Sequence, residues 1–268
     1  MKVFIKVFFI LFVFAVNGAK AAEVSWYQQQ VENAVVSQAM LDVSAKLLHE
    51  HKDIEIQEKF AIPVFHKQAG ELETAPQSFC RTCHTPLPHQ KELRTRTFNN
   101  MHVRYIACET CHIDNANANL TYRWFDMEKQ QVITPSADLL RIGSEMDNEI
   151  QRPTNPKIAP FLNNERLFLL KDDAFAKKIA AQWKVANETE KVALHAKIHA
   201  PLNWQKTENT HQGTPCQDCH NDKKSILDLS ELGATSKQVQ AISTHIIPRY
   251  LAHYKNDQQR MTIREMLH

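Results

Sequence analysis

Three copies of one short cysteine and histidine pattern constrain this chain more than any other feature of its sequence. The six cysteines form three Cys-x-x-Cys pairs, and a histidine follows each pair directly. The three motifs are Cys80, Cys83 and His84; Cys108, Cys111 and His112; and Cys216, Cys219 and His220. This pattern is typical of c-type haem attachment, in which two nearby thiols hold one porphyrin and the next histidine ligates its iron. The sequence therefore predicts three covalently attached haems c, with the three histidines as proximal ligands.

Other uses of the cysteines explain the pattern less well. Six cysteines in an exported protein could form three disulfides, and Cys80, Cys83, Cys108 and Cys111 could hold a structural zinc. Neither use requires a histidine after every pair. A thioredoxin-like redox motif would need a strand and helix context that is not evident near any of the pairs.

Eleven further histidines are available as second axial ligands, whereas three would be enough. His89, His102 and His211 lie in short stretches next to a haem motif, and together with His66 they are the distal candidates. Met101 is the only methionine near a motif, and its neighbour His102 is the better ligand. We therefore expect bis-histidine coordination, which gives lower reduction potentials than histidine and methionine together.

The N-terminus has the composition of a secretory leader. Met1 to Lys6 carries two lysines, an apolar run from Val7 to Val16 follows, and Ala19-Lys20-Ala21 is a small-residue cleavage pattern. The run is shorter than the roughly 20 residues that span a bilayer, although an uncleaved anchor remains an alternative. We expect residues 1–21 to be a signal peptide that is cleaved after about Ala21, and the mature protein to be periplasmic without a membrane span.

Composition favours helices and argues against some classes of partner. Only 5 glycines and 11 prolines are present, so hairpins punctuated by glycine should not dominate. Loss of the leader would change the formal net charge from +2 to −1. The basic residues are not clustered as they are in nucleic-acid-binding proteins, so we do not expect a nucleic acid as partner. The expected fold class is mainly α: a multihaem cytochrome c with helices and irregular loops packed around three covalently bound haems.

The mature chain, residues 22–268, is expected to form a single trihaem domain. Within it we expect a two-haem unit at about 76–126, a helical segment at about 136–200, and a third haem with a closing helix at about 201–268. The hydrophobic pattern predicts four helices. They cover Val24 to about Phe60, Ser136 to Met146, Asn164 to about His199, and Ser236 to Lys255 with an interruption at Pro248.

Several stretches resemble a known family of periplasmic multihaem cytochromes. They are Cys80 to His89, Asn99 to His102, Ile106 to Ile113, Lys157 to Phe161, and Pro215 to His220 continuing to Leu232-Gly233. In patches from Cys80 to Gly233 the chain resembles the octahaem tetrathionate reductase group. Members of that group carry eight haems, one of them ligated by lysine and open to substrate, whereas this chain has three motifs. The resemblance therefore implies an architecture that carries electrons more than it implies reductase chemistry.

Three hypotheses of function follow from the motifs. The first is a periplasmic trihaem electron-transfer protein that works between a respiratory donor and a terminal reductase, with redox proteins as partners. The second is a small multihaem oxidoreductase that acts on a sulfur or nitrogen oxyanion such as tetrathionate. The third is a redox subunit of a larger complex, in which long helices supply contact surface. The surplus of histidines favours the first hypothesis, because an enzyme of this kind needs an open coordination position.

Overall fold

The computed structural model describes residues 24–50, 77–85, 88–89, 93–113, 119–134, 155–202 and 213–253. The predicted leader, the distal candidates His66 and His211, and the predicted helix at Ser136 to Met146 lie outside these ranges. Within them, every helix is too short or too polar to cross a membrane.

Helices and strands alternate irregularly along the described chain. The helices are α1 (Trp26–Asn33), α2 (Gln38–His49), α3 (Leu93–His102), α4 (Cys108–His112), α5 (Ala174–Val185), α6 (Glu188–His199), α7 (Cys216–Cys219), α8 (Ser236–Ser243) and α9 (Ile246–His253). One turn of 3₁₀ helix covers Phe79–Thr82. The strands are β1 (Thr121–Asp126), β2 (Gln131–Val132), β3 (Pro156–Leu162) and β4 (Glu165–Arg166).

The four strands form an antiparallel sheet in the order β2-β1-β3-β4. Trp124 pairs with Ile158 on one side of the sheet, whereas Phe125 belongs to the hydrophobic cluster on the other side. Such alternation is typical of a strand that is covered on both faces. The prediction of a mainly α fold is therefore wrong: about half of the described residues are helical, and the fold is mixed α/β.

The sequence Asn163-Asn164 explains one part of this error. A long helix was expected to begin at Asn164, but Asn163 and Asn164 have positive φ angles, 51° and 71°, and they form the turn between β3 and β4. Asparagine tolerates this left-handed conformation better than most residues, which suits it to the tight turn of a hairpin. The second strand of that hairpin, β4, therefore occupies the start of the segment that we expected to be helical.

The remaining long helices are each divided in two. Instead of one helix from Val24, α1 ends at Asn33 and Ser37 caps α2, with its hydroxyl accepting a hydrogen bond from the Met40 amide. Asn187 separates α5 from α6 and forms a capping box with Glu190. These side chains satisfy backbone amides that a helix leaves free at its start, so each one favours a new helix.

The closing helix is divided as well, at Thr244 and His245, between α8 and α9. Pro248 lies in the first turn of α9, where its missing N–H costs no helical hydrogen bond. The interruption predicted at Pro248 therefore lies at Thr244 and His245, and Pro248 is the third residue of the helix that follows.

Three hydrophobic clusters position the cysteine motifs. The first joins α1, α5 and α6 around Phe79 and Leu169, directly beside the first motif. The second packs one face of the sheet against Ala107, the residue before the second motif. The third packs Trp124 on the other face against Leu232, which follows the third motif, and the Trp124 indole donates a hydrogen bond of 2.9 Å to the Leu232 carbonyl.

Candidate metal centres

Each Cys-x-x-Cys-His motif forms a single tight helical turn. The His84 amide donates to the Cys80 carbonyl at 3.1 Å, and the His220 amide donates to the Cys216 carbonyl at 3.0 Å. The second motif is the short helix α4 itself. In a helical turn, residues at positions i, i+3 and i+4 lie on one face. Two cysteines and one histidine are therefore presented together three times.

The fold places a second imidazole opposite each histidine of a motif. The ring centres of His84 and His199 are 6.0 Å apart, those of His112 and His89 are 6.2 Å apart, and those of His220 and His102 are 6.0 Å apart. We call these the first pair (His84 and His199), the second pair (His112 and His89) and the third pair (His220 and His102). Their spacing is the same within 0.2 Å, although their sequence separations differ widely.

This spacing suits a metal ion between the two rings. A metal–imidazole bond is about 2 Å long and the ring centre lies about 1 Å beyond the bonded nitrogen, so two imidazoles on one metal have centres about 6 Å apart. Neutral rings in van der Waals stacking would be closer, as the 4.0 Å between His195 and His199 illustrates. With two cysteines beside each pair, the residues fit three bis-histidine haems c.

Backbone carbonyls orient three of the paired imidazoles. Nδ1 of His199 lies 2.8 Å from the His195 carbonyl oxygen, Nδ1 of His102 lies 2.8 Å from that of Phe98, and Nδ1 of His220 lies 2.8 Å from that of Ile242. Because a carbonyl oxygen only accepts, Nδ1 carries the proton in each case. Nε2 then has a lone pair for a metal, which is the usual arrangement around metal-bound histidine.

Asn100 holds the fourth imidazole, that of His89. Its side-chain oxygen accepts a hydrogen bond of 3.1 Å from the His89 amide and lies 3.3 Å from Nδ1, while its side-chain nitrogen donates to the His89 carbonyl at 2.9 Å. Asn100 is on α3, which ends at His102. One helix therefore positions an imidazole of the second pair and supplies an imidazole of the third.

Burial favours the neutral form of the histidines opposite the motifs and of their neighbour His195. It lowers the pKa of His199 to about 3 and the pKa of His195 to about 4, and it also lowers the pKa values of His89 and His102. Neutral imidazole is the form that binds metal, so no proton has to be displaced at neutral pH. His195 lies beside the first pair, and its Nδ1 is 3.0 Å from the Ser44 hydroxyl oxygen.

The first and second motifs touch each other. The Cys80 and Cys108 sulfur atoms and the Glu109 carboxylate lie within 4.8 Å of one another. The Cys80 thiol donates to a Glu109 carboxylate oxygen at 3.2 Å. Glu109 is only 1 % exposed, and burial raises the pKa of its carboxyl group, although the Leu169 amide and Arg166 oppose that rise. Three such ligands could hold a metal ion, but attachment of haem to both sulfurs would leave only the carboxylate.

The second and third motifs touch as well. The Thr214 amide and hydroxyl both donate to the Cys111 carbonyl, at 2.7 Å and 3.2 Å. Gly213 has a φ of +87°, and a Cβ atom there would lie 3.2 Å from Cε1 of His112. Burial, and then the neighbouring Cys108 and Cys216, raise the pKa of Cys111 to about 12. The second motif therefore lies between the other two.

All six cysteines are free in the structure, so neither the disulfide alternative nor the zinc alternative finds geometric support. The zinc alternative required Cys80, Cys83, Cys108 and Cys111 together, whereas Cys83 is exposed and absent from the cluster that Cys80 and Cys108 form. No protein-family model, curated protein or solved structure matches the chain. The arrangement must therefore be interpreted from its own geometry.

The histidines that lie opposite the motifs in the structure differ in part from the distal candidates predicted from the sequence. His89 and His102 lie opposite motif histidines, but His102 faces the third motif although it precedes the second in sequence. His199, which was not among the four favoured candidates, faces His84. His195 and His199 are four residues apart and so share one face of α6, and this spacing was the signal that could have identified the helix as a ligand source. No comparable pattern marks Glu109, Asn100 or Gly213.

Proposed function

We propose that this chain is an exported trihaem c-type cytochrome whose function is electron transfer. The observation that carries the proposal is the set of three histidine pairs at 6.0, 6.2 and 6.0 Å, each beside two cysteines. Haem c, when bound, supplies an iron that is reversibly oxidised and reduced by one electron. The residues that would hold the haems are the cysteines and histidines of the three motifs together with His199, His89 and His102.

The same pairs favour an electron carrier over an enzyme. An enzyme that reduces an oxyanion at a haem needs an open coordination position, much as catalytic zinc sites keep one. In the described part of the chain, each motif histidine already has an imidazole opposite it. Outer-sphere transfer needs no open position, so two protein ligands at every centre are compatible with a carrier between a respiratory donor and a terminal reductase.

The contacts between motifs support transfer along the chain. Cys80 lies beside Cys108, and Cys111 accepts hydrogen bonds from the residue that leads into the third motif. Centres held by these motifs would be neighbours in the order first, second, third. The buried residues between them have no need to bind a substrate. These buried residues instead keep the imidazoles oriented and exclude water, and both effects help to set the reduction potential of a bound haem.

The attachment test uses the mature protein, produced by export in a host that attaches c-type haem. Mass spectrometry is expected to give the chain from Ala22 with three haems, and a variant with Cys216→Ala and Cys219→Ala should retain two. The exposed His253, replaced by glutamine, serves as the control and should retain three. A wild-type mass equal to the bare polypeptide would refute the proposal.

A second test separates the carrier from the enzyme. Carbon monoxide and cyanide must displace an imidazole to reach a six-coordinate iron, so the reduced protein should bind carbon monoxide, and the oxidised protein cyanide, slowly and incompletely. Reduction of tetrathionate, nitrite or hydroxylamine should be negligible beside electron exchange with a redox protein. Steady turnover of any of these substrates, abolished by loss of one haem, would favour the oxidoreductase instead.

A further inference from the structure

A positively charged groove runs beside the first motif. The groove has a volume of about 450 Å³ and lies between the 3₁₀ turn Phe79–Thr82 and helix α5. Small side chains of α5, those of Ala176, Ala180 and Ala181, line it on one side. Small side chains leave room above the helix, so the charged residues at the margin of the groove can be reached from solvent.

Cations outnumber anions around this groove. Lys171, Lys177 and Lys184 line it and are exposed, and among the residues that the structure describes Asp172 is the one acidic residue that lines it. The Asp172 carboxylate lies 3.5 Å from Lys177, and both side chains are more than half exposed, so solvent weakens that ion pair. We call Lys171, Lys177 and Lys184 the lysine face. The mature chain is close to neutral, so this face is a local excess of charge and not a property of the whole surface.

The lysine face lies where the first motif reaches the surface. Thr82, Cys83 and His84 are exposed, and Thr82 itself lines the groove. The charge near the third motif has the opposite balance: Asp218, Asp222, Asp228 and Glu231 are exposed there, with Lys223 and Lys224. The first and third motifs therefore present different electrostatic surfaces to a partner.

We infer that the lysine face is the docking site of an acidic redox protein, which exchanges electrons with the chain beside the first motif. This inference rests on the proposed function. Each exchange moves one electron, so the chain is oxidised when the partner is reduced, and the reverse holds for a partner that donates. Charge complementarity of this kind steers the partner and raises the rate of encounter more than it raises affinity.

The test compares two variants of the haem-loaded protein that carry the same change of charge. One combines Lys171→Glu with Lys184→Glu in the lysine face. The control combines Lys223→Glu with Lys224→Glu, which are exposed next to the third motif. Haem content and visible spectra of both variants should match those of the wild type, which shows that folding and attachment are intact.

Two probes replace the unidentified partner. Poly-glutamate, a model of an acidic protein surface, is titrated into each protein by calorimetry at low ionic strength. Hexacyanoferrate(III), a small anionic oxidant, takes one electron at a time from the reduced protein in a stopped-flow mixer. The lysine-face variant should lose poly-glutamate binding, and its oxidation should be about tenfold slower at low salt, with the difference vanishing at high salt. The control should keep poly-glutamate binding and show the smaller loss of rate.

Other outcomes overturn the inference. Equal poly-glutamate binding by both variants would show that the face does not recognise an acidic surface. Binding of the wild type to phosphatidylglycerol vesicles but not to poly-glutamate would assign the face to a membrane. A shift of midpoint potential in the lysine-face variant without a change in binding would assign the lysines to the haem environment. Failure of the proposed function would appear separately, as a wild-type protein without haem absorbance.

Discussion

The imidazole rings of His89 and His112 are nearly parallel, with planes 17° apart and centres 6.2 Å from each other. The two other pairs are close to perpendicular: the planes of His84 and His199 are 81° apart, and those of His102 and His220 are 75° apart. The pairs therefore share a spacing but differ in the relative orientation of their rings. This difference should be visible in the electronic structure of bound iron, because axial ligands act on the iron orbitals directionally.

Electron paramagnetic resonance of the oxidised protein tests these orientations. Parallel imidazole planes split the iron orbitals that interact with them, whereas perpendicular planes leave those orbitals nearly equal in energy. We therefore expect one rhombic low-spin signal, from the second pair, and two strongly anisotropic low-spin signals. Three rhombic signals would contradict the ring orientations of the first and third pairs.

Replacing His199 tests whether the imidazole opposite His84 is the distal ligand that the proposed function requires. In His199→Ala, a haem held at His84 would lose its second imidazole ligand, so we expect one haem to become high spin and to bind carbon monoxide rapidly. The neighbouring histidine provides the control: His195→Gln should leave all three haems low spin, although the two rings are stacked at 4.0 Å. The opposite result would make His195 the ligand.

Replacing Gly213 tests the contact between the second and third motifs. In Gly213→Ala, the added methyl would lie 3.2 Å from Cε1 of His112 in a backbone with φ of +87°. We expect a loss of about 1–3 kcal/mol in the free energy of unfolding, together with a shift in the spectrum of one haem. Gly233→Ala, at a φ of +89°, is the matched control. It should lose stability without the spectral shift, and a shift in both variants would mean that His112 is not specifically disturbed.

Replacing Glu109 tests the buried carboxyl group between the first and second motifs. Burial raises its pKa in the folded protein, so the folded state favours the protonated form. Stability from this group is present at low pH and is lost as pH rises through the folded pKa. Chemical denaturation at pH 5 and pH 8 should therefore show a greater loss of stability with pH in the wild type than in Glu109→Gln. The exposed Glu231→Gln should behave like the wild type, and a wild-type slope in Glu109→Gln would mean that Glu109 stays ionised.

Local signals in the sequence could be interpreted reliably where the chemistry is confined to a few neighbouring residues. Cys80, Cys83 and His84 lie on one helical turn because of their spacing alone, and the same is true of the other two motifs. Ser37 and Asn187 each begin a new helix because their side chains accept hydrogen bonds from backbone amides close by, although the predicted helices ran through both positions. The mainly α expectation failed at Asn163-Asn164, since a pair of asparagines can cap a helix or turn a hairpin, and only strand pairing selects between the two.

The sequence by itself determined how many Cys-x-x-Cys-His motifs exist and which cysteines and histidines belong to each of them. The tertiary structure decided which histidine faces which motif. The paired histidines, such as His84 and His199 or His102 and His220, are far apart in the sequence. The tertiary structure also decided the order of the motifs in space, through the contact of Cys80 with Glu109 and of Thr214 with Cys111. Such contacts depend on the packing of β1, β3, α5 and α6, and packing between distant segments leaves no local pattern in a single sequence.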